Sequence, residues 1–383
     1  MSAGLAALIV FVSSAVLTPS VRGEFAALQT AAILAATVGG LSLALGISVV
    51  VGQRGAAARP AAALGIAGSL VLAVVLVPAG LLAAPALGVG GATATAVALT
   101  AATVAAYGAL LGIAVGLGRM AYYGGADVAR AVAAMIAVVI ALAAGVRSPG
   151  LLVAVWAAGP ITGIAALGRL AAGPAEGSFG EVARVAIRRS LRAHPTNLAG
   201  LAVARLDIVV LAAVSTHAQV AYYSLAVVIA EAAWLMPSAL AVTSLSDFVR
   251  LPAAEAWQAA RRALGHTLAI AAVSGMLAAA GGAAAILVFL PSAYHAALVP
   301  LAIALAGAVP YSVGHVVSPY LVTAVDRPQI ATAIAVVTVA LDVLLVLLLG
   351  GPLGALGAAV ASTASYGLHA GLNVGALRRV QPA

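Results

Sequence analysis

The sequence has no cysteine and no lysine, and only six histidines and ten acidic residues in 383 positions. Without cysteine there is no thiol nucleophile, disulfide or thiolate metal site. Without lysine there is neither a phosphate-loop lysine nor a Schiff base. The histidines, at 194, 217, 266, 295, 315 and 369, include no i, i+4 pair to grip zinc, so neither a metal nor another cofactor is expected. No external loop is long enough to house a soluble catalytic site, and an enzyme is not expected either. Charge is scarce altogether: 7% of residues are charged and 64% hydrophobic, with a mean hydropathy of +1.18. A soluble domain needs only roughly 45–50% apolar residues, so a chain of this composition belongs in lipid.

What is abundant is the apolar run. Stretches of about 20 residues recur, each long enough to cross roughly 30 Å of hydrocarbon as a helix. They are too long and too uniform for barrel strands, which alternate over about ten residues. Spans are expected at 4–18, 25–51, 61–84, 92–117, 129–146, 150–171, 195–215, 219–246, 264–290, 295–322, 329–350 and 353–375, twelve in all. The first is short but has no basic residue before it and no small-residue cleavage site, unlike a secretory signal. The fold class is an all-α integral membrane protein.

The net charge of +8 comes from eighteen arginines, and their places matter more than their number. Fifteen follow even-numbered spans, Arg22 and Arg147 follow odd-numbered ones, and Arg205 lies inside a span. Basic loops face the cytoplasm, which puts both termini on the inner side of a cytoplasmic membrane. The basic balance therefore reports topology. Nucleic acid is not a partner, because no soluble basic domain with base-stacking aromatics is present.

The longest polar stretch, Gly173 to His194, falls near the middle and divides the chain into residues 1–172 and 195–383. Within it Phe179, Val182, Val185, Ala186 and Leu191 recur at helical spacing, opposite Arg184, Arg188, Arg189 and Arg192. That pattern predicts a basic amphipathic helix on the cytoplasmic surface, facing the anionic lipids of the inner leaflet; a plain charged linker is the alternative. Residues 21–26 resemble 219–224, and Pro149-Gly150-Leu151 resembles Pro352-Leu353-Gly354, at offsets of about 200 residues. Together these suggest two six-helix lobes in parallel repeat, related by a pseudo-twofold along the membrane normal, an arrangement that commonly rocks about a central substrate site. Gly108, Gly112 and Gly116 make a four-residue ladder of the kind that packs membrane helices closely. Pro237 and Pro310 fall inside spans, where a kink serves a moving helix or a static bend.

Several segments resemble a known family. Leu17-Thr18-Pro19-Ser20-Val21-Arg22-Gly23-Glu24-Phe25 resembles the turn, of pattern LGPEGxGxY, between the first two helices of polysaccharide flippases, with Thr18 and Ser20 where that family has Gly and Glu. Asn197 through Asp207, and Ala230 through Ala239, resemble its seventh and eighth helices; Gly354 through Ser362 resembles the start of its twelfth. These flippases belong to the multidrug/oligosaccharidyl-lipid/polysaccharide (MOP) exporter superfamily. The resemblance implies a transporter that turns undecaprenyl-diphosphate-linked oligosaccharides from the inner to the outer leaflet for polysaccharide biosynthesis, alongside glycan-assembly enzymes. Asn197 and Arg205, both in the segment that resembles the seventh helix, are the candidate substrate-binding residues.

A charge at the bilayer centre costs at least about 2.5–3.5 kcal/mol, so those present need a partner or a task. Arg205 can grip two phosphate oxygens at once while staying ionised, or it can be tied up in an ion pair with Glu231 or another acid. Asp207, about 200° further round the helix, cannot face the same way. Glu231, Asp207 and Asp342 are acids able to take up a coupling proton or sodium ion, or to bond between helices. His315, between Pro310 and Pro319, is either a proton carrier or a packing residue. Three rivals stay open beside the flippase: a cation-coupled drug or small-molecule exporter on the same fold, a membrane glycosyltransferase or polymerase, and an inactive scaffold.

Overall fold

The computed structural model describes residues 2–54, 57–171 and 178–381. The expected start of the linker, Gly173 to Gly177, and the terminal Ala383 lie outside them. The described residues form helices α1 (Ser2–Val16), α2 (Pro19–Gly39), α3 (Leu43–Arg54), α4 (Ala58–Ala83), α5 (Gly91–Gly116), α6 (Met120–Ala143), α7 (Pro149–Trp156), α8 (Ala158–Ala171), α9 (Phe179–Val214), α10 (His217–Arg250) and α11 (Ala253–Phe289). A 3-10 turn (Ser292–Ala297) leads into α12 (Leu298–Tyr311), α13 (Val313–Thr323) and α14 (Pro328–Arg379).

Among the described residues nine stretches are long and apolar enough to cross a membrane, and the pair α2–α3, bent by 48°, makes a tenth. Helix α14 holds two spans, because its 52 residues at roughly 1.5 Å each far exceed a bilayer core of roughly 30 Å. They join at Gly354, whose φ of 56° and ψ of −132° only glycine adopts freely. The break frees a backbone amide, and Gln219 Oε1 accepts it from Ala355 at 2.9 Å. A Cβ at Gly354 would run into that same glutamine. With the short α1 as the first span, all twelve expected crossings have a helix.

In the first half, the matching Pro-Gly place is a full interruption. Helix α6 ends at Ala143, Gly145 turns at φ 84°, and Arg147 Nη1 donates to the carbonyls of Leu142 and Val146 at 2.9 Å each. Pro149 then opens α7, where its missing amide hydrogen costs nothing.

Contacts sort the chain into two units, Met1–Leu17 with Glu24–Leu198, and Thr18–Gly23 with Ala199–Ala383. The α1–α2 turn thus packs with the second unit, where Gly23 lies against the His217 backbone too closely for any side chain. In the first unit Gly112 and Gly116 let α5 approach the backbone of α3 at Ala44 and Ser48, whereas Gly108 faces open space. Two rungs of the glycine ladder therefore pack helices and one does not.

The basic stretch forms the opening turns of α9. Its apolar residues divide rather than share one lipid-facing stripe. Val182 and Ala186 are fully buried in the first unit's core with Ile47, Val51, Leu110 and Leu167. Gly46 admits the Ala186 carbonyl and Ser190 at close range. Phe179, Ile187 and Leu191 stay exposed, at 48%, 37% and 50%.

Two arginines need correction. Helix α6 begins at Met120 rather than near 129, so Arg130, read as a loop residue, stands mid-helix. Arg22, read as an outer-loop residue, sits in the first turn of α2 and is 2% exposed. The sequence misplaced both because polar neighbours, Tyr122, Tyr123 and Asp127 around Arg130 and Ser20 and Glu24 around Arg22, lower local hydropathy without ending the helix.

Candidate functional site

The polar groups of the second unit gather in two adjoining clusters. In the first, α9 turns Arg205 toward α10, where its two terminal nitrogens meet the two Glu231 oxygens at 2.8 Å each. This fork-to-fork geometry suits a guanidinium and a carboxylate. The pair is not sealed: 27% of the Arg205 side chain and 21% of Glu231 remain exposed. Of the partners the sequence offered Arg205, the structure contains the ion pair with Glu231.

An aromatic group stands beside it. Trp234, one turn after Glu231 on α10, donates Nε1 to the Ala308 carbonyl at 3.0 Å and packs against Tyr311, centroids 4.7 Å apart. Tyr311 lies 4.5 Å from Tyr366, 5.1 Å from His369 and 5.6 Å from His315. Tyr311 and Tyr366 both lie within charge range of Glu231. His369 Nδ1 meets Thr338 Oγ1 at 3.2 Å, and its carbonyl accepts the Asn373 amide at 2.9 Å. His315, singled out in the sequence, is thus one ring of five, and its Nε2 is buried without a hydrogen-bond partner among the described residues.

The second cluster is closed. Asp207 is fully buried, its Oδ1 accepting the Ile208 amide at 2.7 Å and its Oδ2 the hydroxyls of Tyr223 and, at 3.3 Å, Ser362. Tyr223 and Ser362 are themselves 2.7 Å apart. Asp342, before the Gly354 break, is 2% exposed and faces Ser362 and Ser365 beyond it. Its Oδ1 has no hydrogen-bond partner among the described residues. Two carboxyls, two serines and a tyrosine from α9, α10 and both parts of α14 thus share one polar island in an apolar bundle. Arg205 and Asp207 face different neighbours, as their spacing requires.

Asn197 sits elsewhere, in the first unit. It donates Nδ2 to Ser42 Oγ at 3.0 Å, and His194 Nδ1 lies 3.0 Å from the same oxygen. Ser42 and Leu41 hold φ of 55° and 48° at the α2–α3 bend, a conformation that residues with a Cβ rarely keep without support. Asn197 and His194 supply it. The first unit also has a polar cluster that sequence reasoning missed: Asp127 Oδ1 accepts from Arg130 Nε at 3.0 Å, Arg130 Nη2 at 2.8 Å and Tyr107 OH at 3.3 Å. The guanidinium lies 5.5 Å from the Tyr107 ring centroid. Among the described residues no group of three or more His, Asp or Glu is arranged to hold a metal ion.

No family model and no curated protein matches this sequence. Solved structures do match over nearly its whole length. An inward-facing multidrug resistance MATE transporter of the MOP superfamily superposes with a TM-score of 0.75 at 14% identity, covering 99% of this chain and 94% of its own. The lipid II flippase MurJ, in an inward closed conformation, gives 0.73 at 13% identity, covering 98% and 86%. A MOP superfamily transporter from Pyrococcus furiosus, described as having a binding pocket of reverse polarity, gives 0.60 at 13% identity over 99% and 93%. At such identities the likeness speaks for fold. This is a multi-pass membrane protein with the fold of MOP superfamily transporters, and those neighbours are transporters rather than enzymes.

Proposed function

We propose that this chain moves undecaprenyl-diphosphate-linked oligosaccharides from the inner to the outer leaflet by alternating access. The observation that carries this reading is the open-edged Arg205–Glu231 pair beside five aromatic rings. A guanidinium with free donors suits a diphosphate, and flat aromatic faces suit sugar rings and the apolar carrier. The fold shared with a lipid II flippase supports it. Glu231 holds Arg205 in place and neutralises it when no anion is bound. The Asp207–Asp342 island is the proposed coupling site, where a proton or sodium ion would offset two buried carboxyls. Pro237, Pro310 and Gly354 are the proposed flexing points.

The test is reconstitution of the purified chain in vesicles loaded with a fluorescent undecaprenyl-diphosphate oligosaccharide. Appearance of the sugar at the far leaflet at least tenfold faster than in protein-free vesicles is expected. The second reading, a cation-coupled small-molecule exporter, is favoured by the three acids Asp207, Glu231 and Asp342 against one arginine in the second unit's site, and by the fold shared with a MATE transporter. It wins if the lipid does not cross while a cationic dye is expelled along a sodium or proton gradient.

Both termini and the start of α9 are proposed to face the cytoplasm, on the distribution of arginine. A periplasm-dependent reporter fused after Ala383 should be silent, and one fused near Thr216 active. The reverse pattern would refute this orientation.

A further inference from the structure

The opening turns of α9 carry Arg184, Arg188, Arg189 and Arg192 with Val185 around one cleft of about 300 Å³. Arg184, Arg188 and Arg192 follow one another at four-residue intervals, so their side chains line a single stripe. Like charges at that spacing repel. All four are exposed, and among the described residues none makes an ion pair or hydrogen bond. The opposite face, Val182, Ala186 and Ser190, is fully buried in the first unit and holds the stripe rigidly in position. Ile187 and Leu191, one flank round, are exposed apolar side chains on the same helix.

We propose that this cleft binds the phosphate headgroup of an acidic membrane phospholipid, with Ile187 and Leu191 lying against its acyl chains. The pairing of unmatched guanidinium groups with adjacent exposed apolar side chains is what selects a lipid over a free anion. A soluble phosphate satisfies the arginines but leaves Ile187 and Leu191 in water, whereas a phospholipid covers both. A forked guanidinium meets two phosphate oxygens at a time, so two of the four suffice for one headgroup. The cleft is separate from the Arg205 site proposed to receive the transported lipid. It rests on the proposed function only in assuming that the start of α9 lies at a membrane surface.

The test uses the full chain purified in a neutral detergent, with phosphatidylglycerol and phosphatidylcholine offered in equal amounts and retained lipids counted by native mass spectrometry. At least tenfold preference for phosphatidylglycerol is expected. Arg184→Gln/Arg188→Gln/Arg189→Gln/Arg192→Gln should lose that preference while keeping its helical circular dichroism. Should this variant not fold, Arg188→Gln/Arg192→Gln is expected to cut the preference at least fivefold. Ile187→Ser/Leu191→Ser should also weaken retention, which a bare anion site would not show. Equal retention of the two lipids by the parent, unchanged preference in a folded glutamine variant, or displacement by millimolar inorganic pyrophosphate would each overturn the proposal. Lipid retention needs no transport: a chain that fails to move the oligosaccharide yet keeps this preference refutes only the proposed function.

Discussion

Arg205→Ala is expected to abolish binding of the proposed lipid diphosphate and to lower the melting temperature of the purified protein; adding Glu231→Gln should restore the melting temperature and not the binding. The two effects have separate causes. Alanine strands Glu231 inside the membrane, at a cost of about 2 kcal/mol, less than the roughly 3–5 kcal/mol for a fully buried pair because 27% of the Arg205 side chain and 21% of Glu231 are exposed. Glutamine in place of Glu231 removes the stranded charge, so stability returns. Binding does not return, because hydrogen bonds to a charged group contribute about 1.5–3 kcal/mol and nothing in the double variant supplies them. Carrier-lipid affinity should therefore stay at least tenfold below the parent. Arg205→Lys should keep the fold and lose affinity by a smaller factor, since an ammonium keeps the charge without the planar fork. If the double variant regains both stability and lipid binding, Arg205 is a structural residue and the diphosphate is held elsewhere.

Asp207→Asn and Asp342→Asn should each reduce transport at least tenfold and flatten its dependence on sodium and on pH, with little loss of stability. An amide is nearly the shape of a carboxylate, and at position 207 its oxygen still accepts from Tyr223 and Ser362, while the bond from the Ile208 amide is lost. It carries no buried charge, so the loss is confined to that one hydrogen bond. What disappears is the ability to take up and release a cation. Glu231→Gln, by comparison, should alter the grip on Arg205 and leave the cation dependence in place. Transport that retains the parent's response to sodium and pH in both aspartate variants would show that coupling does not pass through this island. Tyr223→Phe is a useful companion: it removes one hydroxyl from Asp207 but no titrating carboxyl, so the response should survive.

The membrane-spanning design was legible because hydropathy is additive along a helix: any run of about 20 apolar residues has one stable form in lipid. The boundaries were less so. Helix α6 starts nine residues earlier than hydropathy suggests, since Tyr122, Tyr123, Asp127 and Arg130 dilute the signal. That polar turn is satisfied by Tyr107 from another helix, which no local window can detect. The aromatic cluster does leave a trace in the sequence. Ser362, Tyr366, His369 and Asn373 are spaced four, three and four residues apart in an otherwise apolar helix, one polar stripe at the helical period. Glu231 and Trp234 share a face for the same reason.

By itself, the sequence determined that this chain crosses a membrane as some twelve helices, breaks near Gly354, and keeps its few charges at 205, 207, 231 and 342 within them. Those are consequences of composition and period, properties that each segment has alone. Only the tertiary structure decided which charge meets which: that Arg205 closes on Glu231 while leaving an edge open, that Asp207 and Asp342 share Ser362, that Asn197 props the α2–α3 bend, and that Val182 and Ala186 turn to protein rather than lipid. Spacing along a helix says which residues share a face, but not which helix will lie opposite. In a chain where nearly every face is apolar and small, that choice rests on how the helices pack.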